Sequence, residues 1–107
     1  MPFVRIASGP ERDTFVAVSR TVTTIGRGLD CTMQLFDDTV SRLHCRIVFE
    51  DGAYWVEEAG PTNAVILNGR SIGRDRLGFG SQIILGQTVL EFMKDKPRLV
   101  KTTYRGT

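Results

Sequence analysis

Two dipeptides, Asp51-Gly52 within "RIVFEDGAYWVEE" and Asn68-Gly69 within "AVILNGRSI", limit this chain's choice of fold more than any other feature. Each stands between short runs rich in Val, Ile, Tyr or Trp, and each tolerates the positive φ of a type I′ turn. Both therefore predict a β-hairpin. "IILGQTVLEF" predicts a third, with Gly86 at the first turn position, and "VRIASGPERDTFVAV" a fourth with a longer loop. No long stretch carries the 3.6-residue apolar period together with a capping signal, so helix is expected only as single turns. Strands are expected near 3–7, 14–18, 22–25, 33–36, 44–50, 53–58, 65–67, 82–85 and 88–93. The fold class is all-β: a two-sheet β-sandwich of about ten to eleven mostly antiparallel strands, with the functional loops at one end.

A chain of 107 residues supports one core, burying roughly 65% of its unfolded surface. Hydrophobic residues at 41% and charged residues at 24% are globular values. The net charge of +2 invites a nucleic-acid reading, but it is unevenly placed. Residues 94–107 hold five basic residues against one acidic, or +4, which leaves −2 on residues 1–93. A duplex-binding domain needs its basic stripe on the folded body, so no nucleic-acid partner is expected. The division read from this is a domain over 1–93 and a basic tail or linker over 94–107. Neither a signal h-region nor an apolar run of membrane-spanning length is present, so no membrane partner and a cytoplasmic location are expected. Cys31 and Cys45 are too few for a disulfide framework and lack the histidine partners of a zinc site, so they are expected as small semi-buried thiols, without metal or cofactor.

The one histidine, His44, follows Ser41 and Arg42 in "DDTVSRLHCRI". A serine nucleophile needs a base within reach, an acid orienting that base, and oxyanion donors. Asp37 or Asp38 offers the acid, yet Ser41 lacks the flanking glycines of a nucleophile elbow. In the strand beginning near His44, the apolar set is Cys45, Ile47 and Phe49, which gives His44 and Arg46 the opposite parity. No catalytic residue is assigned. "IGRGLD" and "LGFGSQ" likewise lack both the dinucleotide fingerprint and the P-loop ending. Arg27, between Gly26 and Gly28, and Arg42, beside Ser41, are residues of the type that grips a phosphate dianion, since a guanidinium presents paired donors and a serine hydroxyl a short neutral one; from composition alone they read as solvated surface arginines.

Three ordered blocks, Gly26-Arg27, Ser41 to His44 ("SRLH") and Gly60 to Gly69 ("GPTNAVILNG"), with the strand pattern around them, resemble the forkhead-associated (FHA) domain over nearly all of residues 3–93. The resemblance implies a phosphopeptide-binding module rather than an enzyme. Its ligand would be a phosphothreonine on a partner protein, written there by an upstream Ser/Thr kinase. By the same resemblance Arg27 and Ser41 would be phosphate ligands, assisted by donors around Arg42, while His44 would brace the loop from beneath. Thr62 and Asn63 would meet the peptide, and Gly26, Asn68 and Gly69 would be structural. Asn63-Ala64-Val65 departs from the family's common N-G-T, exchanging glycine's freedom of φ and one hydroxyl for Ala and Val. A degenerate FHA scaffold that binds proteins without phosphate is the alternative. The domain is expected to be monomeric, with self-association through phosphorylated Thr102 or Thr103 as a further expectation for the tail.

Overall fold

The computed structural model describes residues 1–61 and 63–96. Eleven strands follow one another: β1 Phe3–Ile6, β2 Phe15–Ala17, β3 Thr23–Gly26, β4 Met33–Gln34, β5 Cys45–Glu50, β6 Ala53–Glu58, β7 Val65–Leu67, β8 Arg70–Ile72, β9 Arg74–Arg76, β10 Gln82–Leu85 and β11 Thr88–Met93. They form a six-stranded sheet in the order β2-β1-β11-β10-β7-β8 and a five-stranded sheet in the order β4-β3-β5-β6-β9. All pairings are antiparallel except β3 with β4, where Ile25 lies opposite Met33. Among the described residues there is no helix, and therefore none long and apolar enough to cross a membrane.

The four expected hairpins are present. Asp51 and Gly52 have φ of 53° and 75°, and Asn68 and Gly69 have 49° and 87°, the positive pair that a type I′ turn demands. At the third turn only Gly86 is positive, at 57°, between paired Leu85 and Thr88. The fourth pairs β1 with β2 across the longer loop. Alternation along β11 buries Thr88, Leu90 and Phe92, and along β5 it buries Cys45 and Ile47. These faces meet Val4, Ile25, Val56, Val65, Ile83 and Leu85, all fully buried, in one core between the sheets. Both cysteines are free: Cys45 lies inside this core, where burial pushes its thiol up to about 12, and Cys31 is half-buried.

β8 is the second arm of the Asn68-Gly69 hairpin, whereas β9 lies outside the strands expected from apolar pattern. β9 reads Arg-Asp-Arg and holds its place by pairing with β6, opposite Trp55, Val56 and Glu57. Arg74 reinforces it by ion pairs to Glu57 and Glu50 and by lying over the Trp55 ring. The sheet topology carries β3 and β6 toward one end of the sandwich, and β5 and β7 start from it. The connections 27–32, 35–44 and 59–64 therefore gather there. β11 ends at Met93; Thr102 and Thr103 of the tail lie outside the described residues.

Candidate functional site

Gly26, the last residue of β3, permits the approach on which the site depends. A Cβ there would lie 2.8 Å from both the Ser41 carbonyl oxygen and the Arg42 carbonyl carbon, and closer still to the Arg42 oxygen. With no side chain in the way, the strand end and the 35–44 loop bond backbone to backbone. The Arg27 N–H donates to Ser41 O at 2.9 Å, Gly28 N–H to Arg42 O at 2.9 Å, and His44 N–H to Ile25 O at 2.9 Å. The result is a rigid pair of loops presenting Arg27, Ser41 and Arg42 side by side.

Arg27 is exposed, and its Nε donates to Val40 O at 2.9 Å. That bond fixes the guanidinium while Nη1 and Nη2 stay without an acceptor among the described residues, so the outward edge of the fork faces solvent. The backbone N–H of Arg42 likewise has none there. The Ser41 hydroxyl donates to Asn63 Oδ1 at 2.7 Å, and Asn63 Nδ2 donates to Leu43 O at 3.1 Å. Asn63 is thus already tied to the serine loop at both ends of its amide. It keeps one further hydrogen on Nδ2 and a lone pair on Oδ1 for another partner.

His44, only 4% exposed, sits beneath. Its Nδ1 accepts the Ser41 backbone N–H at 3.1 Å and its Nε2 lies 2.8 Å from Ala64 O. The first bond makes Nδ1 the acceptor, so Nε2–H donates to Ala64 O and the ring links the 35–44 and 59–64 loops. Neither ring nitrogen reaches Ser41 Oγ, whose hydrogen points to Asn63. In this arrangement His44 is engaged with Ser41 N–H and Ala64 O, and the Ser41 hydroxyl with Asn63. Asp37, one of the two acids considered behind His44, is occupied elsewhere. Its carboxylate accepts from Thr39 Oγ1 at 2.6 Å and Thr88 Oγ1 at 2.7 Å, and from the N–H groups of Thr39 and Gln87. Those bonds, the Thr39 hydroxyl's first and the Thr88 hydroxyl's next, hold its carboxyl down at about 2. It clamps the 35–44 loop onto the β10–β11 hairpin.

Residues 64 and 65 fit this frame as they stand. Ala64 is not among the residues with positive φ, so the position does not call for glycine, and its carbonyl receives His44. Val65 is fully buried and fills the core where a hydroxyl would need a partner. Asn68 and Gly69 form the hairpin turn at the far end, where Asn68 Oδ1 also accepts Gln82 N–H at 2.9 Å. Thr62 lies outside the described residues. Sequence reasoning missed the internal bonds of Asn63 and the Asp37 clamp. The Asp-x-Thr spacing of Asp37 and Thr39, which favours a local side-chain-to-backbone turn, was the available signal for the second.

Residues 23–86 match the family model described as FHA domain. The chain is 28% identical over 89 residues to an oxoglutarate dehydrogenase inhibitor of Corynebacterium diphtheriae, covering 83% of this chain and 62% of that protein. It is 27% identical over 90 residues to the FHA domain-containing protein FhaB of Mycobacterium tuberculosis, covering 83% and 58%. The chain thus spans about three fifths of the length of these curated relatives. Among solved structures it is similar to the FhaA FHA domain complexed with the intracellular domain of Rv3910, with TM-score 0.77, 24% identity, and coverage of 86% of this chain and 99% of that one. It is also similar to Mycobacterium tuberculosis EmbR in complex with a low-affinity phosphopeptide, with TM-score 0.75, 24% identity, and coverage of 86% and 24%.

Proposed function

This chain belongs to the FHA domain family, and on that premise we propose that it is a phosphopeptide-binding module that recognises phosphothreonine on a partner protein in kinase-dependent signalling. The observation that carries the reading is the Arg27 guanidinium, fixed through Nε with its outer nitrogens uncommitted, beside the Ser41 hydroxyl and the Arg42 N–H. A phosphothreonine brings about −1.5 to −2 charges and three acceptor oxygens at neutral pH. Arg27 supplies the countercharge and a planar fork, Ser41 a hydroxyl donor, and Arg42 a backbone donor with a second positive charge nearby. To bind, the Ser41 hydrogen turns from Asn63 to a phosphate oxygen, which frees Asn63 Oδ1 to accept a peptide N–H.

Hydrogen bonds to charged groups contribute about 1.5–3 kcal/mol each, so two or three of them with main-chain contacts give a Kd of order micromolar. The threonine methyl in a fitted pocket adds about 1–3 kcal/mol, or roughly 10–200-fold, over phosphoserine. The same reading makes an upstream Ser/Thr kinase the source of the ligand, and the domain a cytoplasmic monomer. The EmbR structure, solved with a phosphopeptide, supports the ligand class. Calorimetric titration with matched phosphothreonine and threonine peptide libraries tests it. Binding confined to the phosphorylated library is expected; equal binding of both would instead favour a phosphate-independent scaffold.

A further inference from the structure

The outer face of the six-stranded sheet carries two apolar rows. Val65 and Leu67, Ile83 and Leu85, and Thr88 and Leu90 are buried, so strand alternation turns Ile66, Ile84 and Val89 outward, where each is only half-buried. Ile84 stands opposite Ile66 on one side and Val89 on the other, which makes the three one cross-strand row. A second row sets Phe3 opposite Met93, also outward and half-buried. Between the rows Arg5 is already paired with Glu91 and Asp13. One outward β-branched residue is ordinary, since it suits a strand. Two whole rows, on the side that antiparallel sandwiches leave to polar residues, call for a cover. Lys96, the last described residue, shows where it comes from. β11 ends at Met93 on this face, and the chain then turns so that the Lys96 ammonium stands 5.7 Å from the centre of the Phe15 ring. Phe15, opposite Arg5, points outward at the edge of the same face, because its neighbour Val16 packs on the core.

We propose that residues 97–107, which lie outside the described residues, cross this face as a strap and cover its apolar surface with Leu99, Val100 and Tyr104. Reach and charge both favour this occupant. Neighbouring strands lie about 4.8 Å apart, so in the order β2-β1-β11-β10-β7 the last three stand about 10, 14 and 19 Å from β2 and Phe15. An extended chain advances about 3.3 Å per residue, which carries Leu99 and Val100 about 10–13 Å beyond Lys96, and Tyr104 about 26 Å. The first two come level with Val89 and Ile84, and the third has length to spare for Ile66. The segment's side-chain charges are Arg98, Lys101 and Arg105. Glu91 faces them: Arg5 takes its Oε1, which leaves Oε2 without a donor among the described residues. A tethered segment also outcompetes a free partner, because a short linker holds it at an effective concentration of about millimolar. The proposal uses none of Arg27, Ser41 and Arg42 and is independent of the phosphopeptide reading.

NMR of the complete 107-residue chain, with labelled Ile, Leu and Val methyls, tests the strap. In the wild type, NOEs should connect the Leu99 and Val100 methyls to those of Ile84 and Val89. The double substitution Leu99→Asp, Val100→Asp should abolish these NOEs and shift the methyl signals of Ile66, Ile84 and Val89. Both substituted positions follow the last strand, so the loss is not that of a failed fold, and the unchanged signals of core Ile25 and Val56 verify this. Absence of the NOEs in the wild type, or methyl signals of Ile66, Ile84 and Val89 that stay in place in the double variant, overturns the proposal. Concentration-dependent dimerisation in sedimentation, abolished by Ile84→Ser, would give the face to a second copy of this chain and equally overturn it.

Discussion

Substituting Gly26 by alanine should damage both stability and binding, although in an unobstructed strand the same change would stabilise by about 0.4–1 kcal/mol through the unfolded chain. The new Cβ would stand 2.8 Å from Ser41 O and Arg42 C, and nearer still to Arg42 O. All three are backbone atoms, so no rotamer change relieves the clash. Ordinary van der Waals separation requires the strand end and the loop to part by roughly 1 Å. That strains or breaks the 2.9 Å bonds from Arg27 to Ser41 and from Gly28 to Arg42. Two bonds at about 0.5–1.5 kcal/mol each, with about 1–3 kcal/mol for overpacking, give a loss near 3 kcal/mol. At roughly 4–8 °C per kcal/mol the Tm should fall by some 12–24 °C. Phosphopeptide affinity should fall further than stability alone explains, because Arg27 and Ser41 are no longer held in register. Gly28→Ala is the internal control: its Cβ would meet Arg42 O at 3.0 Å and everything else at 3.7 Å or beyond, so it should cost about 1 kcal/mol or less. Thermal and urea denaturation with calorimetry on both variants decide the matter. A Gly26→Ala domain as stable as the wild type, or an effect no larger than that of Gly28→Ala, would refute the close-approach argument.

Three further outcomes follow from the same contacts. Ser41→Ala removes one donor to phosphate and one bond to Asn63 while leaving the backbone frame; calorimetry should show binding weakened roughly 10- to 100-fold, with the fold intact by NMR. His44→Ala removes a buried ring bonded to Ser41 N–H and Ala64 O; urea denaturation should record a loss of about 2–4 kcal/mol, together with weaker phosphate binding. Asp37 is held at about 2 by the Thr39 and Thr88 hydroxyls. Its folded value thus lies below the unfolded one, so its contribution is full above pH 4 and disappears as pH falls from 4 through 2. Asp37 is only half-buried, so that contribution is about 1 kcal/mol, and the stability difference between wild type and Asp37→Asn should close over this range.

The sandwich was legible in the sequence wherever local backbone demands are strong. Asp51-Gly52 and Asn68-Gly69 each ask for two positive φ values, and the flanking alternation leaves one register that buries the right faces. β9 was not legible, because Arg74, Asp75 and Arg76 carry no apolar signal and become a strand only through the edge that β6 offers. At the site, Arg27, Ser41 and Arg42 are residue types that suit a phosphate, but composition alone reads the arginines as solvated surface residues; the FHA resemblance is what marked them as phosphate ligands. Long-range contacts were beyond reach. Nothing in "GR" reveals that Gly26 must admit the Arg42 carbonyl, and nothing in "TNAV" reveals that Asn63 already braces Ser41 and Leu43. Ala64 and Val65 read as departures from the family pattern, yet one needs no positive φ and the other fills the core.

The claim at the centre of this account is that Arg27 anchors a phosphate. Its most direct test is an NMR-monitored titration of wild type, Arg27→Lys and Arg27→Ala with one phosphothreonine peptide, the amide spectra showing that each variant is folded. The account predicts saturable shifts in the wild type centred on Arg27, Ser41 and Arg42. It predicts weaker binding in Arg27→Lys, which keeps the charge but loses the fork, and none measurable in Arg27→Ala. Equal affinity for wild type and Arg27→Ala would contradict it.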